Sequence, residues 1–270
     1  MDSAYKSDRD AEPFEQSFDA TIGVLARLLE LHDPATGAHS RRVATASEFM
    51  AIQMNMTFGE INDIKTASLL HDIGKISIPA QILHNDPAKL TIAEKALANE
   101  HPVIGEDILK PIAQLENARR IIRHHHESFS GTGRPDKLSG DDIPMGSRII
   151  AVADHYDRIL CLPSASSPEA RREFAIAHLN NNTGNLYDPA IVTVFIEFLD
   201  FKDMVDSEIK EAPVALTELK DGMVLSQDLH TSKDLLILTR DTRIGEKELK
   251  KILYFNNISP GQKPAYVYVE

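Results

Sequence analysis

Histidine and aspartate stand side by side in "HDIGK" as His71 and Asp72, and two neighbouring histidines, His125 and His126, lie inside "IIRHHHESFSGTGRP". Imidazole is the commonest metal ligand among side chains, and a carboxylate next to one can bridge two ions, so these pairs raise metal chemistry as well as packing. Lys75 lies one helical turn from His71, close enough to meet a phosphate. Alone, a His-Asp pair is equally what a capped helix end looks like. With His39, His101 and Asp154 the set grows to seven candidate ligands, all read as lying at helix ends or helix–loop junctions, where side chains from separate helices of a bundle converge. Seven is roughly the number that two ions need when they share one carboxylate and one water.

Composition narrows the chemistry. Cys161 is the single cysteine in 270 residues, which excludes an intrachain disulfide and a cysteine-rich zinc knuckle and leaves histidine and carboxylate as the metal-holding side chains. A net charge of −12 opposes nonspecific binding to a nucleic-acid polymer or an anionic membrane, since both need a basic surface. A small phosphate-bearing ligand needs only local positive charge, which bound ions supply. The start, "MDSAYKSDRDAEPFEQ", has no apolar signal core, and no apolar run is long enough to span a bilayer, so a cytoplasmic protein is expected.

Helices must position these residues. Residues 1–13 are polar and charged and read as a tail or linker. Phe18, Ile22, Leu25, Leu28 and Leu29 then repeat at helical spacing; "DPATGAHS" interrupts with Pro34 and Gly37, and further helices come over about 41–54 and 59–71. Thr91, with Glu94 three residues on, marks a helix start, and Pro102 should bend or break that helix. "QLENARRIIRHHH" is another helix. The segment 127–144, carrying Gly131, Gly133, Gly140, Pro135 and Pro144, is a loop, and three amphipathic helices run from there to about residue 205. Beyond Pro213 short β-prone runs such as "DLLILT" and "AYVYVE", with one helix at "GEKELKKILYF", imply a small α+β appendage. The reading is a mainly α fold: a helical bundle over 14–207 and the appendage over 208–270.

The series "TGAHSRRV", "HDIGK", "EHPVIGEDIL" and "HHESFSGTGRPDKLSGDDIPMGSRIIAVADHYD" resembles the HD-GYP branch of the HD-domain phosphohydrolases, over about residues 18–205. The resemblance implies a metal-dependent phosphodiesterase hydrolysing the bacterial second messenger cyclic di-GMP, or a related cyclic dinucleotide, to linear pGpG or GMP. It puts metal ligands at His39, His71, Asp72, His101, His125, His126 and Asp154, with Asp72 bridging two divalent ions, iron or manganese first and nickel or zinc next. It gives Asp72 and Lys75 the catalytic roles, and it leaves His124 as a helix-surface histidine. A protein partner in signalling and a homodimer also fit such a protein.

Three departures qualify this. Some relatives carry a glutamate, a third-metal ligand, where this chain has Ala35, so a dinuclear centre is expected. The name-giving tripeptide reads Gly133, Arg134, Pro135, with arginine in place of tyrosine, and Ser130 replaces a loop aspartate. The basic arginine-proline-tyrosine stretch after Asp157 is replaced by "CLPSASSPEA". Arg134 could compensate by bidentate contact with phosphate; Arg158, Arg171 and Arg172 are further cations, each more expected at the solvated surface. The competing readings are a catalytically weak or inactive sensor that binds a cyclic dinucleotide or a protein, and a hydrolase of another nucleotide, such as a mixed cyclic GMP-AMP or a linear dinucleotide.

Overall fold

In a computed structural model, which describes residues 7–86, 88–161, 167–208, 211–231, 236–258 and 264–268, the chain is mainly helical and divides into two compact units, one up to Leu199 and one from Asp200. The first unit is a bundle. Helix α1 (Ser7–His32) starts ahead of Pro13, and α2 (Pro34–Gln53) begins after one residue. Then come α3 (Phe58–Leu70), a 3-10 turn (Ile73–Ser77), α4 (Ala80–Leu83), α5 (Ile92–Asn99), α6 (His101–Leu109), α7 (Glu116–His124), α8 (Met145–Cys161), α9 (Pro168–Asn181) and α10 (Pro189–Glu208), whose residues from Asp200 on belong to the second unit. Helix α2 packs on α3 and α8, and α6 packs on α7 and the 3-10 turn. Met50, Ile64, Leu70, Ile122, Ile149, Ile150 and Phe195 form the dry centre, each buried to 1% exposure or less. Each such side chain contributes roughly 1.5–3 kcal/mol relative to exposure. No helix among the described residues is long and apolar enough to cross a membrane.

The break expected across "DPATGAHS" is confined to Asp33. Pro34 occupies the first helical turn of α2, where its missing N–H costs nothing, and the Asp33 carboxylate accepts from the Ala35 backbone N–H at 3.2 Å and the Thr36 hydroxyl at 2.6 Å. Gly37 stays inside the helix because a Cβ there would lie 2.6 Å from that of Glu30 on α1. His39 therefore sits within a helix, and so does Asp154 in the middle of α8, whereas a junction was expected for both. Elsewhere the punctuation matches the sequence. Thr91 and Glu94 form a reciprocal capping box, and α5 gives way to α6 with Pro102 in the first turn.

Helix α3 opens with a second capping box, Thr57 and Glu60, and ends at His71. The chain tightens there into the 3-10 turn, and its glycine is what admits this. A Cβ on Gly74 would lie 2.0 Å from the His101 carbonyl oxygen and 2.8 Å from the Gly105 nitrogen, so the turn and the start of α6 touch backbone to backbone.

In the second unit β1 (Glu211–Val214) pairs antiparallel with β4 (Ala265–Tyr268), and β2 (Leu229–His230) pairs antiparallel with β3 (Leu236–Leu238). Leu225, Ile237, Ile244, Val267 and Ile252 of α11 (Glu246–Ile258) form its core. Short strands with one helix match the expected α+β character.

Gly74→Ala should lower the urea midpoint sharply and reduce bound metal with it, by pushing α6 and His101 away. Gly59→Ala, where a Cβ meets nothing within 4 Å, should be neutral or stabilise by up to about 1 kcal/mol. Equal midpoints for the two variants would refute the close-approach account.

Candidate metal centre

Three histidines are held by one local device. The Nδ1 of His71, at the end of α3, donates to the Ser68 carbonyl at 2.7 Å; that of His101, at the start of α6, donates to the Ala98 carbonyl at 2.7 Å; that of His125, at the end of α7, donates to the Ile122 carbonyl at 2.6 Å. In each case the acceptor lies three residues back. A carbonyl only accepts, so each neutral ring keeps its proton on Nδ1 and presents a bare Nε2 lone pair to the interior. The Nε2 atoms of His71 and His125 are buried without a hydrogen-bond partner, and so is Asp72 Oδ1.

These atoms converge. His39, His71 and Asp154 bring ligand atoms within 4.8 Å of one another, as do His71, Asp72 and His125, and likewise His101, His125 and His126. His71 and His125 each belong to two of these groups, so all seven candidates from the sequence form one continuous cluster. Asp72 lies between its halves: Oδ2 is 3.5 Å from His71 Nε2 and Oδ1 is 3.3 Å from His101 Nε2. His101 Nε2 is also 3.2 Å from His126 Nε2. Inward lone pairs facing carboxylate oxygens repel unless a cation lies among them, so this donor set fits divalent ions.

Electrostatics agree. Burial drives His125 and His126 well below the ordinary imidazole value, and drives His101 to about 4 against the pull of Asp72. All three are neutral at pH 7, the form that binds metal. Burial resists ionisation of Asp72, but Lys75, His71 and Arg158 outweigh it and hold the carboxyl well below the usual carboxylate range. Asp154 is held low in the same way, by Arg158 and His39 against burial. Lys75 Nζ donates to Asp72 Oδ2 at 2.5 Å. Arg158, expected at the solvated surface, instead turns inward from α8, with Nε 2.7 Å from Asp154 Oδ1 and a terminal nitrogen 3.7 Å from Asp72 Oδ1.

His39 is different. It has Asp154 at 2.8 Å from Nε2 and Asp157 at 2.6 Å from Nδ1, and the two carboxylates overcome burial to raise it to about 9. Asp157 in turn takes two bonds from Arg42, at 2.6 and 2.8 Å. Asp157 and Arg42 escaped the sequence reading. The signal available was the spacing in "DHYD", which puts Asp157 near Asp154 on one helical face.

The loop after His126 is firmly braced. His124 is buried, not a surface histidine: its Nε2 meets Asp136 at 2.9 Å, and Arg123 grips the same carboxylate at 2.7 and 2.9 Å. Asp136 N donates to the buried Glu127 at 2.7 Å, and Arg134 N donates to the His126 carbonyl at 3.1 Å. Gly133 is obligatory, since a Cβ there would lie 2.2 Å from the Ser128 nitrogen. This closure brings Arg134 beside the cluster. Arg171 and Arg172 are half-buried on α9, Ala35 is an exposed first-turn residue of α2, and residues 162–166 of "CLPSASSPEA" lie outside the described residues.

Residues 23–191 match the family model of the HD domain. The chain is 37% identical over 181 residues to 3'3'-cGAMP-specific phosphodiesterase 2 of Vibrio cholerae, a match covering 65% of this chain and 34% of that protein. It is 35% identical over 179 residues to the cyclic di-GMP phosphodiesterase response regulator RpfG of Xanthomonas campestris, covering 65% and 47% respectively. It thus spans between a third and a half of the length of these curated relatives. Its fold is similar to that of Bd1817, a HDG"Y"P protein from Bdellovibrio bacteriovorus, with a TM-score of 0.50 at 21% identity, covering 60% of this chain and 51% of the other.

The pH dependence of the metal-free protein can be derived from these shifts. Unfolded histidines protonate near 6.5, whereas folded His101 resists protonation down to about 4 and burial holds His125 and His126 well below the ordinary imidazole value, so stability falls as pH drops below about 6.5. For His101 the loss is about 3 kcal/mol at most. His39 has the opposite sign: its contribution is complete below about 6.5 and is lost as pH rises through about 9. The melting temperature of chelator-treated protein should therefore peak near pH 6.5. A flat profile between pH 6.5 and 4 would contradict the buried, neutral state of these rings.

Proposed function

Since this chain belongs to the HD-domain family, we propose that it is a metal-dependent phosphodiesterase of cyclic dinucleotides, acting on cyclic di-GMP to give linear pGpG or GMP. One observation carries the reading: the buried Nε2 atoms of His71 and His125 and the buried Oδ1 of Asp72, none of them hydrogen-bonded, lie within a single cluster of seven ligand-type side chains. His39, His71, Asp72 and Asp154 would hold one divalent ion, and Asp72, His101, His125 and His126 the other. Iron or manganese suits this mixed nitrogen–oxygen set first, nickel or zinc next. When bound, such a pair supplies Lewis acidity toward phosphate and makes water nucleophilic at neutral pH.

The remaining work falls to the chain. Asp72 presents one oxygen to each half of the cluster and stays ionised at neutral pH. Burial keeps His101, His125 and His126 neutral, and the backbone carbonyls at Ser68, Ala98 and Ile122 fix which nitrogen of His71, His101 and His125 faces inward. Lys75, hydrogen-bonded to Asp72, is one cation placed to offset charge developing on a phosphate oxygen. Asp157 orients His39 from behind and keeps its Nδ1 proton once the ring has given up the other.

A second reading keeps the same chemistry and changes the substrate to a mixed cyclic GMP-AMP. Arg134 in the position of the family's tyrosine favours it, together with the likeness to a relative named for that substrate.

Purified protein, loaded anaerobically with ferrous iron or manganese, should convert cyclic di-GMP to linear dinucleotide or GMP, resolved by ion-exchange chromatography. Faster turnover of cyclic GMP-AMP would select the second reading, and no turnover of either with two metals bound per chain would leave the binding-only sensor. Asp72→Ala and His126→Ala should each lose bound metal and about a thousandfold or more in rate while far-ultraviolet dichroism is kept; full metal in both would sink the ligand assignment. Asp157→Asn should weaken metal affinity about 10–100-fold, measured by competition with a chelator, and unchanged affinity would remove Asp157 from this role.

A further inference from the structure

The loop in which arginine stands in place of the family's tyrosine delivers a cation that the proposed chemistry has not used. Arg134 comes directly after Gly133, whose missing side chain lets the loop lie against the Glu127–Ser128 backbone, and its N–H is bonded to the carbonyl of His126, a candidate ligand. The Arg134 side chain is half-buried, and its Nε is buried without a hydrogen-bond partner. It makes no ion pair among the described residues. The anions acting on it are Asp154, already held by Arg158 and His39, and Glu127, one of whose oxygens takes the Asp136 N–H.

Arg158 presents a second guanidinium to the same place. Its Nε is spent on Asp154, and one of its terminal nitrogens is buried without a hydrogen bond. Burial, and then the positive charge of Arg158, make the Arg134 guanidinium harder to keep charged, yet arginine does not give up its proton. Two like charges, each with a buried nitrogen that makes no hydrogen bond, lie at the edge of a cluster built for cations, although one of these nitrogens, on Arg158, is also 3.7 Å from Asp72 Oδ1. What relieves that arrangement is an anion with several acceptor oxygens in one plane-matched group, and phosphate is such an anion.

We propose that Arg134 and Arg158 form a two-arginine clamp that grips a phosphate group of the substrate beside the histidine–aspartate cluster. The identity of the substrate rests on the phosphodiesterase reading above; the clamp itself rests on the two arginines. It supplies from the changed loop and from α8 the positive charge that the segment after Cys161 does not carry in its sequence. A guanidinium fork also explains why arginine is useful at a position where charge alone would admit lysine.

The test is calorimetric titration of manganese-loaded protein with GMP and, separately, with guanosine, which lacks the phosphate, alongside steady-state kinetics on cyclic di-GMP. Metal content is checked in each variant. R134A and R158A should each weaken GMP binding about tenfold or more while guanosine binding is kept, and R134K should fall between R134A and wild type. The Michaelis constant for cyclic di-GMP should rise in the same order. If GMP binds wild type and variants equally, if GMP and guanosine weaken by the same factor, or if wild type binds no GMP, the clamp is overturned, even where cyclic di-GMP is hydrolysed. If the variants lose GMP selectively while wild type hydrolyses no cyclic dinucleotide, the clamp stands and the phosphodiesterase reading falls. R134K, which keeps length and charge, carries the same test should R134A fail to fold.

Discussion

A carbonyl oxygen three residues behind a histidine settles the chemistry of the ring. In His71, His101 and His125 it holds the proton on Nδ1 and leaves Nε2 bare, and each of these bonds belongs to a helix terminus rather than to a distant contact. The helices are therefore more than supports. The end of α3, the start of α6 and the end of α7 select a tautomer as well as a position, and burial keeps His101 and His125 neutral so that their lone pairs stay available. The backbone contact at Gly74 serves the same constraint by holding the His101 end of α6 against the turn that carries Asp72.

Buried carboxylates make the opposite demand. Asp72 and Asp154 remain ionised only because cations stand close: Lys75 and Arg158 from the chain, and His39 with its raised proton affinity. A protein of net charge −12 thus concentrates positive charge at one place. The same local cations offset the carboxylates and make the cluster attractive to a phosphate, with metal ions adding to that field when bound. Arg134 extends this field outward along the loop that His124, Arg123 and Glu127 brace.

Residue types and spacing revealed most of the candidate cluster. The His-Asp pair of "HDIGK" is a weak signal alone; the other histidines and Asp154, and the resemblance carried by the combined motifs, single out the set, while helical periodicity identifies the elements that bring it together. What escaped depended on tertiary contact. Nothing local distinguishes His124 from a surface histidine, because its partner Asp136 arrives only when the glycine loop closes. Asp157 is one of many acidic residues until α2 brings His39 and Arg42 against it. Arg158 resembles a solvated helix cation until the Asp154 carboxylate draws it inward. The start of α2 was missed for a different reason: Pro34 reads as a breaker, yet at a first helical turn behind a capping aspartate it is well accommodated.

The central claim is that this cluster holds two ions that share Asp72. Anomalous diffraction from manganese-loaded crystals, collected near the manganese edge, tests it most directly. The account predicts two peaks per chain, one among His39, His71, Asp72 and Asp154 and the other among Asp72, His101, His125 and His126. A single peak, or none at saturating manganese, would contradict it.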